Sequence, residues 1–179
     1  MDLLDLLSDT GGTKSLGNIA GQLGIGQSQT KDLVGALAPS LMRSLQKQTE
    51  SGDSLAGLKN ALAKGNHQRY IDEPELMMSD ESRADGNKIL GHLFGSKDVS
   101  RNVAAQASRS TGIDSGLIKK ALPLVAGLVM GAVSKKSNGG RDVDATSGGL
   151  LGGLMGSMLG GGDDDVGIDD VLGMVKKFL

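Results

Sequence analysis

Cysteine is absent from the 179 residues. That removes disulfides, thiolate zinc sites, iron–sulfur clusters and cysteine nucleophiles together. It fits a reducing compartment, and a cytoplasmic protein is expected. Aromatic residues make up only 2% of the chain: Tyr70, Phe94, Phe178 and no tryptophan. A core must then be built from Leu, Ile, Val, Met and Ala, which pack well between helices. A sheet protein of this length would use more aromatic and β-branched residues. Histidine occurs twice, at His67 and His92, too sparsely for His-rich metal ligation. No HExxH, Walker A or GxSxG pattern occurs. The expectation is a protein that is not an enzyme, with no cofactor, no metal site and no catalytic residues. The opening MDLLDLLSD lacks the positive charge that begins a secretory signal. The longest apolar run, 121–133, has 13 residues, short of the about 20 that cross a bilayer as a helix. No transmembrane span is expected.

The net charge of −2 conceals a partition. Residues 1–85 carry −4, residues 86–141 carry +7 and residues 142–179 carry −5. A basic centre beside an acidic tail suits an anionic partner, or a tail that screens the centre itself.

Apolar residues recur at helical spacing almost throughout. Helices are predicted over 2–7, 15–23, 29–48 and 54–64. Gly24 and Gly65 act as stops, and Ser28 as an N-cap. Residues 66–84 are polar and acidic and read as a connection, with His67 solvated. Helices resume over 85–94, stopped by Gly95, and from Ser96 or Lys97 to Gly112, with Val99, Val103 and Ala107 facing inward. Asp114 caps a longer helix to about 136. A shift of 88 residues lays Gly24-Ile25 on Gly112-Ile113, and also aligns Leu37 with Val125 and Met42 with Met130. Gly35 and Pro39 in one long helix, and Pro123 and Gly127 in the other, suggest two related units. In each, one bent helix lies under a close contact.

The predicted fold is all-α, two related helical units in one globule over 1–136 (units about 13–48 and 96–136). A Gly/Asp-rich linker over 137–167 and a C-terminal amphipathic helix over 168–179 follow. The stretch DGNKILGHLFGSKDVSRNVAAQ at 85–106 resembles the signature of the YidB-like family, bacterial proteins that form a domain of unknown function. The two Gly-Ile units and the Gly-rich tail with its acidic last helix are also similar. The resemblance implies an all-helical fold with a homeodomain-like helix arrangement. It implies no catalytic residue, since none is established for that family.

Three surfaces stand out. The tail has glycines at 148, 152, 156 and 160, with Leu150, Leu151, Leu154, Met155, Met158 and Leu159 beside them. Eight of the 18 uncharged residues over 145–162 are glycine, and each costs about 1 kcal/mol in a helix relative to Ala. That favours a sticky linker over an associating or membrane-bound helix. Its aliphatic residues are the expected contact for an unknown protein partner or for self-association, which predicts concentration-dependent association. The basic centre is the second surface. Arg101, Arg109, Lys119 and Lys120 flank a helix-turn-helix-like junction, and nucleic acid is the alternative partner. A membrane surface is the third, reached through the basic centre and tail. His92, in the last turn before Gly95, reads as a structural histidine near helix-end carbonyls. The acidic groups at 72–85 and 163–170 lack calcium-loop spacing. A non-enzymatic protein-interaction or structural module is the function expected.

Overall fold

Glycines in the left-handed region punctuate the chain. Gly24, Gly95 and Gly112 have φ of 67°, 72° and 73°, and each follows the last residue of a helix. An L-residue is strained there, so each glycine is a stop that its sequence position foretold. The computed structural model describes residues 3–50 and 52–141. The expected tail contacts at Leu150, Leu151, Leu154, Met155, Met158 and Leu159, and the helix expected over 168–179, lie outside the described residues.

In chain order the helices are α1 (Leu3–Thr10), α2 (Thr13–Leu23), α3 (Gln27–Thr49) and α4 (Gly52–Lys64), followed by α5 (Arg69–Asp72) and a 3-10 turn, Pro74–Met78. Then come α6 (Asp80–Phe94), α7 (Lys97–Thr111) and α8 (Ser115–Lys136), with no strand among the described residues. The fold is all-α. Local caps explain the starts. The Ser79 hydroxyl accepts from the Ser82 N–H, and the Ser96 hydroxyl from the Val99 N–H. The Asp114 carboxylate accepts from the N–H groups of Gly116 and Leu117. Each satisfies donors that a helix start leaves free. The start of α3 differs from expectation: Gly26, not Ser28, precedes its first turn, and Gln29 reaches back to the Gly26 N–H.

α8 is the axis of the molecule. Each of the other α-helices packs against it, and every residue from Ala121 to Ser134 is buried. A helix apolar on all sides belongs in a core or a membrane. By length and composition alone α8 could cross a bilayer; here its sides are covered by its own chain. α6 makes the most extensive contact with it. That approach depends on Gly86. A Cβ at Gly86 would fall on the Pro123 carbonyl and 2.9 Å from Pro123 Cα.

The two Pro–Gly pairs part company here. Pro123 is buried, and Gly127 lies under the Tyr70 ring. Pro39 and Gly35 are exposed, and Gly35 faces open space. The close contact expected of both long helices therefore exists only in α8. α3 has one buried face, lined by Leu33, Leu37, Leu41 and Leu45, and so its other side can carry a proline at no packing cost.

Two further expectations are corrected. Residues 66–84 are not a connection. Tyr70, Ile71 and Met77 within them are buried, and α6 already begins at Asp80. Val99 does not face inward: it is exposed, because the first turn of α7 stands clear of the core with Lys97 and Asp98. Val103, Ala104 and Ala107 carry the buried stripe instead.

Candidate functional site

Glycine spacing on α8 sets the site up. Gly127 and Gly131 lie one turn apart, and they let α5 and its lead-in come close. A Cβ at Gly131 would stand 2.6 Å from the His67 carbonyl oxygen. The close approach places His67, Arg69 and Tyr70 beside α6, opposite Asp85. Tyr70 is held at both ends. Its carbonyl accepts from Ser15 Oγ at 2.6 Å, and its hydroxyl donates to Asp85 Oδ2 at 2.7 Å. Arg69 Nη2 donates to the Tyr70 oxygen at 3.0 Å and to Glu81 at 3.1 Å. The guanidinium also lies 5.0 Å from the centre of the Tyr70 ring, within cation–π range.

His67 completes the cluster and overturns the expectation of a solvated side chain: it is only 6% exposed. Its ring stacks on Tyr70, with centres 6.3 Å apart. Nδ1 sits 3.6 Å from Asp85 Oδ2, too far for a hydrogen bond, and among the described residues it has no hydrogen-bond partner. Burial lowers the His67 pKa; the Asp85 charge opposes that and the Arg69 charge adds to it. The Tyr70 hydroxyl is pushed up to about 12 by burial and by its bond to Asp85. At neutral pH the cluster is thus a neutral imidazole and phenol around one carboxylate and one guanidinium.

A pH test follows. The folded chain keeps His67 neutral, whereas the unfolded imidazole binds a proton near its ordinary 6.5. The unfolded state then holds more protons, so stability rises with pH in that range. The His67 contribution is complete above 6.5 and is lost as pH falls from there through the folded-state value. Urea midpoints should drop between pH 7.5 and pH 5.5 in the parent chain, and drop less in His67→Gln. Equal slopes would refute the assignment.

The cluster forms one end of a solvent-open groove of about 490 Å³ between α4 and α6. Leu58, Ile89, Leu93 and Met130 give it an aliphatic floor. Gly57 and Ala61 keep the α4 wall low, and Lys64 and Lys88 stand on the rim. Both lysines are exposed, with no ion pair among the described residues. His92 lines the opposite end; its side chain is exposed and its carbonyl accepts from Gln48 Nε2 at 3.1 Å. Both histidines therefore meet one groove, with Asp85 its only carboxylate among the described residues. No group of three or more His, Asp or Glu there is placed to hold a metal ion.

The four basic residues singled out from the sequence are all exposed; Arg109, Lys119 and Lys120 lie near the α7–α8 junction, whereas Arg101 lies near the start of α7. Arg101 is paired with Asp98 at 3.0 Å. Lys119 and Lys120 lie in the first turns of α8, the helix that the Asp114 carboxylate caps. The groove was not foreseen. The visible signals were the large apolar residues inside the acidic stretch, Tyr70, Ile71 and Met77, all buried, which a solvated loop has no use for.

A family model described as a bacterial protein of unknown function (DUF937) matches residues 5–136. No curated protein and no solved structure matches the chain.

Proposed function

We propose that this chain, which belongs to the DUF937 family of bacterial proteins of unknown function, is a non-enzymatic interaction module that seats an aliphatic segment with an acidic flank in the groove between α4 and α6. One observation carries this reading: an open groove whose floor is aliphatic and whose rim holds two exposed lysines without partners among the described residues. Leu58, Ile89, Leu93 and Met130 are themselves only 3–7% exposed, so the floor acts as a shaped apolar surface and covering its remaining open area gains a modest free energy. The lysines select what covers it, because a rim charge acts mainly on specificity and encounter rate. The cluster beneath serves structure: the Asp85 carboxylate and the Tyr70 hydroxyl already bond each other.

The nucleic-acid reading through Arg101, Arg109, Lys119 and Lys120 is weaker. A recognition helix must expose its outer face along several turns. α8 is buried from Ala121 onward, which leaves only its first turns for any such contact, and Asp114 opposes phosphate there.

The test uses a synthetic peptide with the sequence of residues 150–165, labelled for fluorescence anisotropy. A version of the chain ending at Arg141 should bind it, once circular dichroism has verified its helices. Lys64→Glu with Lys88→Glu should weaken binding about tenfold, and raised salt should act in the same direction. Affinity unchanged by both reversals would sink the reading.

A further inference from the structure

The chain itself carries a segment of the required chemistry. Residues 150–165 read LLGGLMGSMLGGGDDD: six aliphatic side chains, then three consecutive aspartates. Their order matches the groove, an aliphatic floor bounded by Lys64 and Lys88.

The path of the backbone adds a second argument. After α8 the chain turns through Gly139 and Gly140, whose φ values are 73° and 89°. This turn does not leave the molecule. A Cβ at Gly140 would lie 3.0 Å from Leu62 Cβ and 3.1 Å from the Lys59 carbonyl, so the backbone there rests on α4. Ser137 Oγ, itself buried, accepts from the Gly140 N–H at 3.0 Å. Ser134 Oγ donates to the Leu62 carbonyl at 3.2 Å. The chain is thus delivered at Arg141 to the very helix that forms one wall of the groove. α4 has 13 residues and is about 20 Å long. The nine residues from Arg141 to Leu150 can span about 30 Å, enough to reach any point along that wall.

We propose that the groove between α4 and α6 is occupied in the full chain by its own residues 150–165, folded back in cis. Leu150, Leu151, Leu154, Met155, Met158 and Leu159 cover the aliphatic floor, and Asp163, Asp164 and Asp165 meet Lys64 and Lys88. This rests on the groove being a binding surface at all, and goes further by naming its occupant. Tethering decides between the chain's own segment and one from elsewhere. A short connection gives an effective concentration in the millimolar range, far above that of a second copy. A partner in trans must then compete with the tethered segment. The +7 of residues 86–141 and the −5 of residues 142–179 compensate each other within one molecule.

Because the chain has no cysteine, pairs of engineered ones report proximity without background. In the full chain, Asn60→Cys on the groove wall is combined with Ser157→Cys. The control combines Ser157→Cys with Lys31→Cys, which lines a separate shallow depression beside α3. A short bis-maleimide should link the groove pair within single chains, roughly tenfold above the control. The yield should be constant on dilution and reduced by salt and by Lys64→Glu with Lys88→Glu. Equal yields for both pairs overturn the proposal. Links found only between two chains also overturn it, while leaving the groove as a binding surface in trans. If no link forms but the free peptide binds the chain ending at Arg141, the cis arrangement fails and the interaction reading stands. If neither occurs, both fall.

Discussion

Gly86→Ala is expected to destabilise the folded chain by about 2 kcal/mol or more, while Gly91→Ala, five residues along the same helix, is expected to stabilise it. Alanine is the better helix former by about 1 kcal/mol, so both substitutions begin with the same gain. They differ in what the added methyl meets. At Gly91 it meets nothing within 4 Å, and about 0.5–1 kcal/mol of the gain should survive. At Gly86 it meets the Pro123 carbonyl and Cα. These are backbone atoms of a helix buried on all sides, and they cannot turn aside as a side chain would. Over-packing of a tight core costs about 1–3 kcal/mol, more when backbone must shift. Urea denaturation of the two variants at neutral pH checks the pair. A stabilised Gly86→Ala would mean that α6 and α8 do not approach as described.

Asp85→Ala is expected to cost about 2–3 kcal/mol. The carboxylate accepts from Tyr70 at 2.7 Å and lies 3.6 Å from both His67 Nδ1 and Arg69 Nη2. Without it the Tyr70 hydroxyl loses its acceptor among buried neighbours, and the guanidinium keeps the Tyr70 oxygen but only the exposed Glu81 as a charged partner among the described residues. A buried donor left unmatched costs about 1–3 kcal/mol, and more where charge is involved. The Asp85 side chain is 23% exposed, which holds the figure below that of a fully buried pair. Asp85→Asn keeps an acceptor for Tyr70 and should lose less than half as much. A double-mutant cycle with Tyr70→Phe isolates the shared part; strict additivity of the two losses would show that the hydroxyl and the carboxylate do not act as a pair.

The helices and most of their ends were legible in the sequence, because their causes are local. Gly24, Gly95 and Gly112 stop helices through their own backbone freedom. Ser96 and Asp114 start them through their own side chains. Leu33, Leu37, Leu41 and Leu45 announce one buried face of α3 by spacing alone. What was not legible depends on partners distant along the chain. Residues 66–84 read as a solvated connection because their charge is high and their apolar residues lack a period. Yet His67 and Tyr70 are buried, and Tyr70 is matched by Ser15, 55 residues away, and by Asp85. Likewise the repeat predicted the same role for Gly35 and Gly127. Identical residue types diverged because one long helix is covered on one face and the other on all. Val99 shows the limit of period: it shares a face with Val103, but that face extends past the end of what it packs on.

One consequence of α8's position concerns the order in which the molecule is made. The helix on which all the others lean is the last of those described, so a growing polypeptide emerges with its supporting elements first and its centre last. Until residues 115–136 have left the ribosome, the aliphatic sides of α1 to α7 have only one another to close on. Domains usually condense as units while synthesis proceeds; here the contacts that α1 to α7 make with α8 can form only after that last helix has emerged.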